Sequence, residues 1–199
     1  MLFRSVHLPR FLTRKLGQSD PLASASNVLT LTIVPNCEVS PGSNVTLVGL
    51  TGSATDDTMS LDVSSGDQEW FLSTGEWRRT EGYLRVVVGG SGLRNGSVYS
   101  VSFMLQNKND TQEPPAVSIK MTVKSSVGPD DGEGVYEDVE KSGESAVGVA
   151  RGAEALRVYV PGFRTKLIWQ RNPLVSASNN LSVMLEPNCD VAEIGRAHV

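Results

Sequence analysis

Few side chains in this sequence are equipped for catalysis. Histidine occurs at His7 and His198 and cysteine at Cys37 and Cys189, out of 199 residues. A Ser-His-Asp relay needs an imidazole held between nucleophile and carboxylate, and a structural zinc site needs about four converging Cys or His ligands. Two histidines near opposite ends, with no Cys-x-x-Cys pair, point away from both. Gly89-Gly90-Ser91-Gly92 follows a strand-like run, but the Gly-Lys-Ser/Thr and the helix that cradle a phosphate do not follow it. Asp56-Asp57 reads as ordinary loop sequence. The acids from Asp130 to Glu144 lack the spacing of an EF-hand. Trp70, Trp77 and Trp169 offer faces on which sugar rings stack, although packing in a core uses the same residues. The expectation is therefore a chain without catalytic, cofactor-binding or metal-binding residues, and no enzyme.

One kind of chemistry is better represented. Asn44-Val45-Thr46, Asn95-Gly96-Ser97, Asn109-Asp110-Thr111 and Asn180-Leu181-Ser182 are N-glycosylation sequons, more than ten asparagines would supply by chance. They make Asn44, Asn95, Asn109 and Asn180 candidate glycan sites and suggest a secreted or cell-surface protein.

The elements that would present these sites are organised by a repeat. Pro21-Leu22-Ala23-Ser24-Ala25-Ser26-Asn27 returns as Pro173-Leu174-Val175-Ser176-Ala177-Ser178-Asn179, and Pro35-Asn36-Cys37 as Pro187-Asn188-Cys189. At a constant offset of 152, residues 6–39 and 158–191 share 16 identities in 34 positions. Solenoid units run to about 20–50 residues, so this period describes whole domains in tandem. Cys37 and Cys189 hold equivalent places in successive copies, which rarely meet, so a buried free thiol or a partner outside the chain is expected instead of a mutual disulfide.

Composition suits a globular chain: 39% hydrophobic, 20% charged, net charge −4. That balance offers no electrostatic footprint for nucleic acid, and no apolar run approaches the roughly 18 residues of a transmembrane helix. Residues 1–19 carry Arg4, Arg10, Arg14 and Lys15 and no acid. Alone they look like a transit peptide, cleaved near Gly17. Their match to 158–171 argues instead for interior sequence of a larger protein, of which Met1 opens a fragment.

From Asn27 onward the period is two, the signature of half-buried strands. Leu29, Leu31 and Ile33 alternate with Thr30 and Thr32. Val45–Val48, then Met59, Leu61 and Val63, then Leu84, Val86 and Val88 continue the pattern between turns. Trp70-Phe71 and Trp77 anchor two short strands separated by Ser73-Thr74-Gly75. Tyr99, Val101, Phe103 and Leu105 share one face, and Val117, Ile119, Met121 and Val123 another; these are expected as the last two strands. Short strands with turns every 8–12 residues predict an all-β antiparallel sandwich.

Leu93-Arg94-Asn95-Gly96-Ser97-Val98-Tyr99-Ser100-Val101 resembles the fibronectin type III pattern of Leu, Gly three residues on, and Tyr three further. The resemblance covers about thirty residues, with Asn95 where the family has Pro, and leaves other immunoglobulin-like topologies open. It implies a tyrosine corner, in which the Tyr99 hydroxyl bonds back to upstream backbone. Leu93, Gly96, Tyr99, Val101, Phe103, Trp70 and Trp77 are the expected structural residues.

The resulting division is 1–20, end of an inter-domain segment; 21–124, β-sandwich; 125–157, an acidic Gly-rich linker too poor in apolar residues to order; 158–192, the start of a truncated next repeat; and 193–199. That tail, Glu193-Ile194-Gly195-Arg196-Ala197-His198-Val199, back-translates to GAG ATC GGA AGA GCA CAC GTC, which looks like a sequencing adaptor and is expected to be an artefact. As a whole the chain resembles a repeat of large extracellular arrays of protist or algal type. The expected function is structural or adhesive, with other repeats of the same chain and glycan or protein ligands as partners. A carbohydrate-binding module attached to a larger enzyme is the alternative.

Overall fold

The structure, a computed structural model, describes residues 8–66, 70–125 and 132–191. His7, His198, the tail 193–199 and Gly128-Pro129-Asp130-Asp131 at the head of the acidic stretch lie outside the described residues. Strands follow the alternation in the sequence. They are β1 (Phe11–Gln18), β2 (Ser26–Pro35), β3 (Asn44–Val48), β4 (Thr58–Ser64), β5 (Phe71–Arg78), β6 (Tyr83–Val88), β7 (Tyr99–Gln106) and β8 (Ser118–Val123). Three two-residue strands follow, β9 (Gly132–Glu133), β10 (Glu137–Asp138) and β11 (Glu140–Lys141), and then the hairpin β12 (Phe163–Gln170) and β13 (Leu181–Pro187).

The fold is an all-β sandwich made by curling one hydrogen-bonded path, β10-β8-β3-β6-β5-β4-β7-β2-β1-β11. The corner is β4. Its Thr58, Leu61 and Asp62 pair with β5, whereas Val63 and Ser64 pair with β7. Such a strand passes from one layer to the other and lets inner faces meet. Leu29, Leu31, Ile33, Trp77 and Ile119 are fully enclosed in the resulting core. Met59, by contrast, projects outward, and only Leu61 and Val63 of its row are buried.

The sheet departs from expectation in three ways. It is mixed, since β1 and β11 run parallel. β7 and β8, expected as a closing pair, lie apart, β7 between β2 and β4 and β8 beside β3. The two short strands expected around Trp70-Phe71 and Trp77 are one strand, β5. A register shift between Phe71 and Gly75 absorbs the intervening residues, and a Cβ on Gly75 would lie 2.9 Å from the Arg85 carbonyl oxygen.

The larger correction concerns domain limits. Residues 8–20 are not inter-domain sequence: β1 pairs along β2 and buries Phe11 and Leu16 to 2% exposure. Nor are residues 132–157 a free linker. β9 and β10 extend β8, and β11 then crosses to β1, so this strap spans the side opposite β4 and covers both sheet edges. Beyond it Val149, Ala153, Ala155, Leu156 and Val158 are buried. Mean composition disguised this, because the apolar residues cluster at 149–158 while the acids precede them. That acidic segment meets the basic side chains of β1 and of Arg10 just before it: Arg10 pairs with Glu137 at 2.8 Å and Lys15 with Glu144 at 3.4 Å, and Arg14 Nε donates to the Asp138 carbonyl at 2.7 Å. Val158, expected to open the next copy, and Leu156, expected in the linker, complete the first.

The folded unit therefore runs over residues 8–159, as long as the repeat offset of 152. The next copy begins immediately as β12–β13, which reproduces β1–β2 in detail. Phe163 pairs with Pro187 as Phe11 pairs with Pro35, with the same bulge before Thr165 and Thr13. Ser24 and Ser176 adopt the same left-handed conformation, φ 60°.

Candidate functional site

The polar side chains that the fold gathers lie where the strap meets the β1–β2 turn. Gln18 ends β1 and Asn27 begins β2, so the hairpin brings them together, and Asn107 follows β7. Asn27 Nδ2 donates to Gln18 Oε1 at 2.8 Å and to Asn107 Oδ1 at 2.9 Å. Gln18 Nε2 donates to the carbonyls of Gly152 and Arg157, both at 2.8 Å, and Gln18 Oε1 also accepts the Leu156 amide at 2.6 Å. Asn107 Nδ2 donates to the carbonyls of Asp20 and Leu22. All three side chains are buried and, among the described residues, no buried side-chain polar atom lacks a partner. A fully satisfied buried network orients its members uniquely. Sequence reasoning assigned these residues no role, though the repeat carries the signal: Gln18 and Asn27 return as Gln170 and Asn179.

Beside this network sits an ion cluster centred on the buried pair Glu154 and Arg157, with the more exposed Arg151 and Glu113 at its rim. Glu154, 1% exposed, accepts from Arg157 Nε at 2.9 Å and Arg151 Nε at 2.7 Å, and Arg157 also reaches Glu113 at 3.0 Å. Burial is the largest single influence on Glu154 and opposes its ionisation. The hydrogen bonds and charges of Arg157 and Arg151 outweigh it and hold the carboxyl below its usual range. Glu137 behaves alike, burial being outweighed by Arg10, the Phe11 amide and Arg14. Groups lowered on folding contribute stability that is complete above the unfolded value, about 4.3 for Glu, and is lost as pH falls through the folded values. Acid titration followed by circular dichroism should accordingly show stability draining below about pH 4.3, through these two groups.

The expected structural residues fall mostly where the sequence put them. The Tyr99 hydroxyl accepts the Arg94 amide at 2.7 Å, a tyrosine corner. Gly96 makes the turn with φ +72°. Leu93 is buried and exchanges both backbone hydrogen bonds with Val39 at 2.8 Å. Val101, Phe103 and Trp77 are core, and Trp77 Nε1 donates to the Thr55 carbonyl at 3.0 Å. Half-buried Trp70 packs edge-on against Tyr99, ring centroids 5.1 Å apart. Tyr99→Phe, which leaves the Arg94 amide unpartnered, should cost about 1–2 kcal/mol in urea unfolding with little change in m value. The three tryptophans form no shared platform, because Trp77 is fully enclosed and Trp169 belongs to the second hairpin.

Of the sequons, Asn95 and Asn109 stand exposed in loops, and Asn180 is exposed on the second hairpin. Asn44 is half-buried within β3, between Val87 of β6 and Thr122 of β8. Cys37 and Cys189 are free thiols; Cys37 packs against the core, and burial, with Glu38 adding to it, pushes its pKa up. A groove of about 310 Å³ runs between the outer face of β1–β2 and the strap, lined by Lys15, Gln18, Thr30, Thr32, Ser142 and Glu144. Its alternating hydroxyls and one ion pair suit polar, hydroxyl-rich contacts. The described residues contain no helix long and apolar enough to cross a membrane.

No family model matches the sequence, and no curated protein matches it. Among solved structures, one titled "AvmM Catalyzes Macrocyclization in Alchivemycin A Biosynthesis" aligns over 87% of this chain and 88% of its own, with 9% identity and a TM-score of 0.30. A likeness that low carries no argument about fold or activity.

Proposed function

We propose that the chain is a non-enzymatic structural and adhesive repeat module of a secreted or cell-surface protein. The observation that carries this reading is the match between the repeat offset and one closed unit, residues 8–159, with the next hairpin following directly. Domains joined without spacer sequence make a rod instead of beads on a string, which suits an element that sets distance or presents contacts. The Asp190 amide of the second hairpin donates to the Val147 carbonyl of the first unit at 3.0 Å, a tie between neighbours. Other repeats of the same chain are thus its immediate partners, and glycans or proteins its external ones. Loops carrying Asn95 and Asn109, and the hydroxyl-lined groove on β1–β2, supply the contact surfaces.

Mass spectrometry of the protein isolated from its native source should find N-glycans at Asn95 and Asn109. Unmodified asparagine at every sequon would remove the support for an extracellular site of action.

A further inference from the structure

The passage from the first copy to the second is left little torsional freedom. Tyr159 is held by the first copy: its amide donates to the Pro21 carbonyl at 2.7 Å, and its carbonyl accepts from the Ala23 amide at 2.8 Å. Gly162 is held by the second. Its amide donates to Asn188 Oδ1 at 2.8 Å, its carbonyl accepts the Asn188 amide at 3.0 Å, and Asn188 Nδ2 donates to the Val160 carbonyl at 3.0 Å. Between these anchors stand Val160 and Pro161. Proline fixes its own φ and holds the residue before it to extended backbone, and a β-branched side chain restricts that residue further. The clamp belongs to the fold of each copy, since Asn36 makes the same three bonds to Leu8 and Arg10 around Pro9, at 2.9–3.0 Å.

A second contact lies away from this link. Ala146 and Val149 exchange both backbone bonds across Val147-Gly148, a two-residue turn with φ 50° and 68°. Such turns favour Asn-Gly, and a β-branched residue at positive φ is an outlier. The Val147 carbonyl accepts the Asp190 amide at 3.0 Å. A Cβ on Gly148 would stand 2.6 Å from Asp190 Cγ and 2.9 Å from its backbone nitrogen, so only glycine leaves room for this approach. Behind the turn, the Gly152 amide donates to the Val149 carbonyl at 3.0 Å and the Gly152 carbonyl accepts Gln18 Nε2. The turn is thereby braced on the buried amide network.

We infer that the Val147-Gly148 turn is a seat for the next copy, and that together with the Val160-Pro161 link it locks successive copies in one orientation. The part that enters the seat is the loop 188–190, whose counterpart in the first copy is 36–38. A covalent link alone leaves a swivel, and relative motion is the default for domains that share a small contact. A second attachment off the link removes the swivel. The inference rests on the tandem organisation within the function proposed above, and the test reads geometry alone. A loose joint would leave the glycan evidence for a surface module standing, and unmodified asparagines would leave the joint standing.

The test uses a two-copy protein in which residues 1–191 continue into a second 40–159, so that the second sandwich is complete and the joint keeps its own residues. With Cys37→Ser and Cys189→Ser, nitroxides on Met104→Cys of the first copy and Arg164→Cys of the second, both exposed strand positions, report the distance between copies by double electron–electron resonance. The parent should give a single narrow distance. Gly148→Asn keeps the positive φ, which asparagine tolerates, but sets a Cβ against Asp190. It should widen the distribution at least about twofold, toward the free motion of unlocked domains, with the urea midpoint little changed. Asn188→Ala, which releases Val160 and Gly162, should widen it independently. A broad distribution in the parent, or variants as narrow as the parent, overturns the inference.

Discussion

Gln18→Ala should lower the unfolding free energy by about 4 kcal/mol, among the largest single-substitution effects in the molecule. The amide joins four groups: it donates to Gly152 and Arg157 carbonyls and accepts from Asn27 and the Leu156 amide. Alanine deletes all four bonds and leaves the partners facing a cavity. Each orphaned buried group costs about 1–3 kcal/mol, less than additively where a water can enter. The expected fall in melting temperature is about 10 °C. Hydrogen exchange should accelerate first at the Leu156 amide, because that strap segment loses its anchor to β1. Thr30→Ala is the control: its hydroxyl shares a bond with Ser102 at 2.9 Å on the outer face, and its loss should cost under about 1 kcal/mol. A Gln18→Ala effect as small as the control would mean that the strap holds without this network.

Glu154→Gln should cost about 3 kcal/mol and change the shape of the pH dependence as well. The glutamine keeps the volume but removes the charge that Arg157 and Arg151 share. Arg157 is left buried with Glu113, whose side chain is 80% exposed and so a weaker, screened partner. Removing one member of a buried pair is costly because the other remains desolvated without its counter-charge. Since Glu154 titrates below its unfolded value, the variant should also lose part of the acid limb of the stability curve, leaving the share due to Glu137. Urea titrations at pH 7 and pH 3 test this: the gap between wild type and variant should narrow at the lower pH.

Much of the core could be read directly. Leu29, Leu31 and Ile33, and later Tyr99, Val101, Phe103 and Leu105, are buried as their alternation requires, since residues two apart on a strand share a face. The tyrosine corner was legible because a local spacing encodes it: Leu93, Gly96 and Tyr99 lie within one turn. Met59 was not, for alternation continues past the point where β4 leaves cover. Nor was the network of Gln18, Asn27 and Asn107, whose members sit up to 89 positions apart. The basic β1 and the acidic strap were each conspicuous, yet nothing in either told that Arg10 would meet Glu137 or Lys15 Glu144.

The sequence by itself determined the strand alternation, the 152-residue repeat and the corner at Tyr99, because each is a pattern of neighbours or of self-similarity along the chain. Only the tertiary structure decided where the domain ends. Whether residues 8–20 and 132–159 join the sandwich depends on which edges they reach and on a short apolar cluster, Val149 to Val158, finding a place at its end. Those are contacts between distant segments, where a few well-seated side chains outweigh a composition that looks too polar to fold.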